Sequence, residues 1–165
     1  MATTLKRLFL MALSLIAISG CQSTPTTMYQ PIELTEVVDI PNQSQEEIYN
    51  KARQWFSQYF VSGKSVVDYE DKKAGVIIGN GIANNGSMMG LIKYEFYYNI
   101  RIDTKDGKFR ALTTITKHTN TDSNSTYDAV AVDQERINAS KQKINELITQ
   151  LKDYILKEKL QTETW

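Results

Sequence analysis

One histidine and one cysteine, His118 and Cys21, limit the chemistry open to this 165-residue chain. Nucleophilic catalysis of the serine–histidine–carboxylate kind needs a histidine base, and only His118 could serve. It follows Lys117 near the end of an expected strand, with Glu95 across the sheet as its nearest acid. It reads as a solvated strand-end residue. Zinc needs several nitrogen or sulfur ligands, which a single histidine and a single cysteine do not supply. Asp122, Asn124, Thr126, Asp128 and Asp133 fall at positions 1, 3, 5, 7 and 12 of a calcium loop, yet Tyr127 stands where such a loop turns on glycine. Asp133 also replaces the bidentate glutamate, and turn and helix capping account for these residues more simply. Gly79 and Gly81, with Gly86 and Gly90, invite comparison with phosphate-binding loops. Those loops lead a strand into a helix N-terminus, whereas here strand leads into strand, and a glycine-bulged hairpin loop is expected. No catalytic residue, cofactor or metal site follows from the pattern.

A binding surface does. From Ile92 the sequence alternates almost without fault, with Ile92, Tyr94, Phe96, Tyr98, Ile100 and Ile102 on one face. Lys93, Glu95, Tyr97, Asn99 and Arg101 point the other way, which marks an antiparallel sheet covered on one side. Asp106-Gly107 is a strong signal for a two-residue hairpin. Pairing Lys105 with Lys108 sets Asp103 opposite Arg110, Ile102 opposite Ala111, Ile100 opposite Thr113 and Tyr98 opposite Ile115. Lys93, Glu95, Tyr97, Asn99, Arg101 and Arg110 then share one open face, beside Leu112 and Thr114. Such a face is either simply solvated or a docking surface, since tyrosine and arginine are common interface anchors.

The elements that must hold this hairpin are legible in turn. Leu34, Val38 and Ile40 share one face of a strand over 33–40, closed by Pro41. Ser44 to Glu47 fits a capping box. Behind it Ile48, Ala52, Trp55, Phe56, Tyr59 and Phe60 form a helical apolar stripe, with Gly63 as the stop. Val66, Val67 and Tyr69 give one strand, and Val76, Ile77, Ile78 and Ile82 another, ended by Asn84-Asn85-Gly86. After a polar loop over 119–126, a long amphipathic helix is expected over 133–160, about 42 Å at 1.5 Å per residue. The class is α+β: one antiparallel sheet of about five strands with two helices on one face, in the order β-α-β-β-β-β-α.

Cys21 closes a different kind of segment. Lys6 and Arg7 precede an apolar run from Leu8 to Ile18, the layout of a secretory signal peptide. At about 11 residues the run is short of the roughly 20 that span a bilayer. Ile18-Ser19-Gly20-Cys21 resembles the lipobox of bacterial lipoproteins. That resemblance implies cleavage between Gly20 and Cys21, with acylation of Cys21 as the new N-terminus. Several acyl chains hold a protein stably on a membrane. Gln22, where an aspartate would signal inner-membrane retention, implies the periplasmic side of the outer membrane. The alternative is an ordinary leader followed by a free thiol. The expected layout is a signal peptide over 1–20, a lipidated flexible tether over 21–32, the folded domain over 33–160 and a tail over 161–165. The tether is rich in Ser, Thr, Gln and Pro and lacks apolar periodicity.

Without residues 1–20 the chain keeps 145 residues, 17 of them basic and 19 acidic, and no further cysteine. That is enough for one domain stabilised by packing alone. Near-neutral charge is no footprint for nucleic acid. A monomer is expected, attached to the membrane through Cys21 and free to meet an envelope protein partner.

Trp55-Phe56, the 64–69 segment KSVVDY, the 75–81 segment GVIIGNG and the 105–110 segment KDGKFR together resemble a bacterial domain-of-unknown-function family with a TATA-box-binding-protein-like fold. The likeness runs roughly from Val37 to His118. It implies a fold and no activity. The expected role is a non-enzymatic adaptor or binding module, or else a small-ligand carrier with a pocket between helices and sheet near Trp55 and Tyr59.

Overall fold

A computed structural model describes residues 29–59 and 65–157. Cys21, Gly20 and the whole signal segment lie outside the described residues, as does the tail. The chain runs β1 (Ile32–Asp39), α1 (Gln45–Tyr59), β2 (Ser65–Asp71), β3 (Val76–Met88), β4 (Ile92–Lys105), β5 (Lys108–Thr121), β6 (Thr126–Asp128) and α2 (Gln134–Lys157). All strand pairs are antiparallel, in the order β1-β5-β4-β3-β2, and the three-residue β6 shares the outer edge of β5 with β1. Both helices cover the same face, so the fold is the expected α+β arrangement with one short strand added.

The core is the seam between that face and the helices. Phe96, Tyr98, Ile100 and Ile102 of β4 and Phe109, Ala111 and Ile115 of β5 meet Ile48, Ala52, Trp55 and Phe56 of α1 and Ile144, Leu147, Ile148, Leu151 and Ile155 of α2. The period-2 faces of the strands and the 3.6-residue stripes of the helices thus bury each other. Helix α1 starts as its sequence dictates: the Ser44 amide donates to Glu47 Oε2 at 2.7 Å, and the Glu47 amide to Ser44 Oγ at 3.3 Å. The last turn of α2 is tied to α1, because Lys51 Nζ donates to the Ile155 carbonyl at 2.9 Å and a cation suits that helix end.

The hairpin register holds from Lys105 opposite Lys108 to Tyr98 opposite Ile115. Beyond that a β-bulge leaves Thr116 unpaired, so Tyr97 faces Lys117 and Phe96 faces His118. This corrects the expected pairing of His118 with Glu95, whose partner is Thr119. Uninterrupted alternation from Ile115 would have driven Lys117 into the core beside Phe96; the bulge turns the lysine out and His118 in. Strand β3 also runs past its expected end at Asn84-Asn85-Gly86, crossing an irregularity between Asn84 and Ser87. Gly79 and Gly81 are not in a loop. They lie in the paired body of β3, and a Cβ on Gly81 would sit 2.4 Å from the ring of Tyr98. Gly75 is equally constrained, with φ of 70° and both Gln45 Nε2 and Thr104 Oγ1 within 2.5 Å of any added Cβ.

Candidate functional site

The six residues expected on the open face do share it. Near its hairpin end Asp103 sits between two arginines, accepting from Arg101 Nε at 2.7 Å through one carboxylate oxygen and from Arg110 Nη2 at 2.6 Å through the other. Partial burial works to raise the Asp103 pKa. The bonds and charges of Arg110 and Arg101 outweigh it and hold the carboxyl below its ordinary value. The two guanidinium side chains stay 45% and 52% exposed, and the carboxylate they share only 15%. They are pinned but presented. Asn99 donates to Asn80 Oδ1 at 2.9 Å, and Lys117, bonded to Asp128, lies 4.6 Å from the centre of the Tyr97 ring. Lys93 is exposed at one end of the row and Glu95 is half-buried beside it.

The register adds members the sequence did not single out. Val37 lies opposite Arg110, Thr35 opposite Leu112, and Ile78 opposite Arg101, with Tyr69 beyond Ile78. Val37 is 58% exposed and Tyr69 51%. Lys105 and Lys108 close the same face at the hairpin end. Four cations, Arg101, Lys105, Lys108 and Arg110, therefore gather around one central carboxylate amid apolar side chains. Asp39, opposite Lys108, and Asp71, beyond Val76 in the row of Asp103, are further acids of that face.

His118 is not a solvated strand-end residue. It is 2% exposed, with Tyr29 Oη 3.1 Å from Nδ1 and Ser140 Oγ 3.1 Å from Nε2. With the Ser140 proton committed to a backbone carbonyl, the neutral imidazole donates from Nε2 to Ser140 Oγ and accepts at Nδ1 from the Tyr29 hydroxyl. Burial, reinforced by the Arg136 charge and opposed by Asp133, lowers its pKa to about 4. Ser140 is fully buried and donates to the Ile137 carbonyl at 2.8 Å, a helical back-bond rather than the posture of a nucleophile. The chain Tyr29–His118–Ser140 joins the segment before β1 to the sheet and to α2. The spacer expected over 21–32 is thus held on the domain from Tyr29 onward.

The calcium-like pattern is used up locally. Asp122 accepts from the Asn124 and Ser125 amides, and Asp133 caps α2 through the Arg136 amide. Among the described residues no three His, Cys, Asp or Glu side chains converge on a metal-sized site.

A cleft of about 400 Å³ opens between α2 and strands β3 and β4. Ala83, Phe96, Tyr98, Ile144 and Leu147 form its apolar floor and wall, and Asn84, Lys143, Glu146 and Gln150 its polar margin. Tyr59 lines it and stacks on Trp55, with ring centres 4.6 Å apart.

A family model described as a domain of unknown function (DUF4468) with TBP-like fold matches residues 34–119. The match runs from β1 through β5 and stops short of Tyr29, β6 and α2. Two crystal structures share the fold. A TBP-like protein from Parabacteroides distasonis superposes with a TM-score of 0.60 at 17% identity, over 77% of this chain and 94% of that one. A DUF4468 family protein from Bacteroides ovatus gives 0.60 at 15% identity, over 80% and 91%. No curated protein matches the chain.

Proposed function

The chain belongs to the DUF4468 family, and from that premise we propose a lipid-anchored envelope protein whose domain binds a partner and turns over no substrate. The observation that carries this reading is the pinned pair Arg101 and Arg110, half-exposed across the Asp103 carboxylate and bordered by Val37, Leu112 and Ile78. Holding two guanidinium groups in place reduces the entropy lost when they engage a partner. The apolar border supplies area that water leaves on docking. The cationic excess favours an acidic partner surface.

Crosslinking in the native envelope, followed by identification of the captured partner, tests the reading. A chain carrying both Tyr97→Ala and Arg101→Ala should lose the partner while keeping its circular dichroism spectrum. Unchanged capture would sink the adaptor. Anchoring is tested separately: Cys21→Ser should lose acyl labelling and move to the soluble fraction, and continued membrane residence would refute the lipobox reading.

The cleft beside Tyr59 supports a second reading, a carrier for a small amphipathic ligand. Its apolar floor and polar margin suit such a molecule. In a Trp165→Phe chain, Trp55 is the sole tryptophan and reports on the stacked Tyr59. A saturable, ligand-dependent change in its fluorescence favours the carrier; a flat titration across amphipathic ligands favours the adaptor.

A further inference from the structure

The two most exposed large apolar residues of the described domain, Met89 and Leu91, sit together at one hairpin tip. Between β3 and β4, Met88 is 50% exposed, Leu91 73% and Met89 91%. The Leu91 amide donates to the Met88 carbonyl at 2.9 Å, and the two residues between them have φ of 49° (Met89) and 72° (Gly90). Two left-handed residues in succession make a type I′ turn, whose first central position favours Asn, Asp or Gly. A methionine there is sterically disfavoured, and at 91% exposure it gains no packing within the domain. Neither the turn nor the core accounts for it.

The place of the tip suggests what does. The chain enters the domain at Tyr29, level with His118 and its cross-strand neighbour Phe96. From Phe96 to Leu91, β4 and the turn continue for five residues, about 16 Å beyond that level at 3.3 Å per residue. Tyr29 is eight residues on from Cys21, a reach of about 29 Å at most. Chain entry and tip share one end of the sheet, so a domain tethered at Cys21 can bring this tip onto the bilayer. Lys93, exposed and paired with Ser87, stands where a cation would meet lipid phosphate.

We propose that the 88–91 turn is a membrane-contacting tip, its Met88, Met89 and Leu91 side chains seated in the interfacial layer of the bilayer that holds Cys21. The inference rests on the lipid-anchor reading, and adds to it a second point of contact that fixes the orientation of the domain. Methionine suits the task, being flexible, polarizable and tolerant of irregular surroundings.

The experiment uses the full chain, processed in cells and reconstituted in vesicles of phosphatidylethanolamine and phosphatidylglycerol. If Cys21 is acylated, a thiol introduced by Met89→Cys is the only reactive one, as is that of Lys108→Cys at the opposite end of the sheet. Each is labelled with an environment-sensitive dye. The expected result is a blue shift at position 89 and quenching there by nitroxide-bearing lipid, with neither at position 108. Equal emission at both positions, on a chain that stays acylated, overturns the tip and leaves the anchor standing. A blue shift without lipid quenching places the tip against protein, a second copy included, and also overturns the proposal. Labelling of Cys21 itself, with release of the chain from vesicles, refutes the anchor and the tip together.

Discussion

The two halves of β5 are built on different principles. From Lys108 to Ile115 the strand alternates cleanly, with Phe109, Ala111, Thr113 and Ile115 buried and Arg110, Leu112 and Thr114 on the open face. Beyond the bulge at Thr116, the inward position goes to a histidine that depends on hydroxyls from Tyr29 and Ser140. The first half is held by apolar burial, and what its outer face carries is of little concern to the fold. The second half is held by a polar chain, and every member matters because an unpaired buried polar group is costly. A surface free to change beside a core that is not is where a binding face is most easily placed.

Three measurements would break or sharpen that contrast, beginning with the largest effect. Phe109 is 1% exposed. Phe109→Ala should cost about 3–5 kcal/mol of unfolding free energy in urea titration. A loss below about 1 kcal/mol would mean that the regular half does not rest on its apolar face.

The second measurement concerns acid. An unfolded-chain histidine takes up a proton near pH 6.5, whereas His118 in the folded domain does so only near pH 4. Between those values the unfolded state binds more protons, so stability should fall as pH drops through this window and level off below it. The total loss should be on the order of 3 kcal/mol, less whatever relaxation of the site recovers. His118→Gln should be less stable at neutral pH but lack that part of the acid slope. An identical slope in wild type and variant would place the titration elsewhere.

The smallest effect belongs to the open face. Asp103→Ala removes the carboxylate shared by Arg101 and Arg110, both about half exposed. Such pairs contribute roughly 0–1 kcal/mol each, so losing the two should cost no more than about 2 kcal/mol. Partner capture should drop well beyond it, because the two guanidinium groups lose their common anchor. A stability loss as large as that of Phe109→Ala would make Asp103 a structural residue.

The same division governs how far the sequence could be read. Alternation in β4, Asp106-Gly107 and the charge match of Asp103 with Arg110 fixed the hairpin register and the membership of the open face, because each is a local signal repeated at period 2. The capping box at Ser44 was readable for the same reason. His118 was misplaced because a bulge is one extra residue with no motif of its own. Its trace was indirect: unbroken alternation would have buried Lys117. Ser140 lies 22 residues from His118 and Tyr29 lies 89, so their meeting is a product of topology that no window of sequence contains. Tyr29 was hidden in a stretch whose Ser, Thr and Pro content reads as linker, and the strained turn at Met89 becomes visible only once backbone angles are known.

The way β1 leaves Tyr29 has a mechanical consequence. From Ile32 opposite Ile115 to Asp39 opposite Lys108, the eight-residue strand runs straight away from the point where the chain enters. A pull on the residues upstream of Tyr29, with the far end of the sheet held by a partner, acts along that strand. The β1–β5 ladder then bears the load in shear, all rungs together, instead of opening one rung at a time like a zipper. A domain loaded in this way resists such a pull better than one whose rungs open singly.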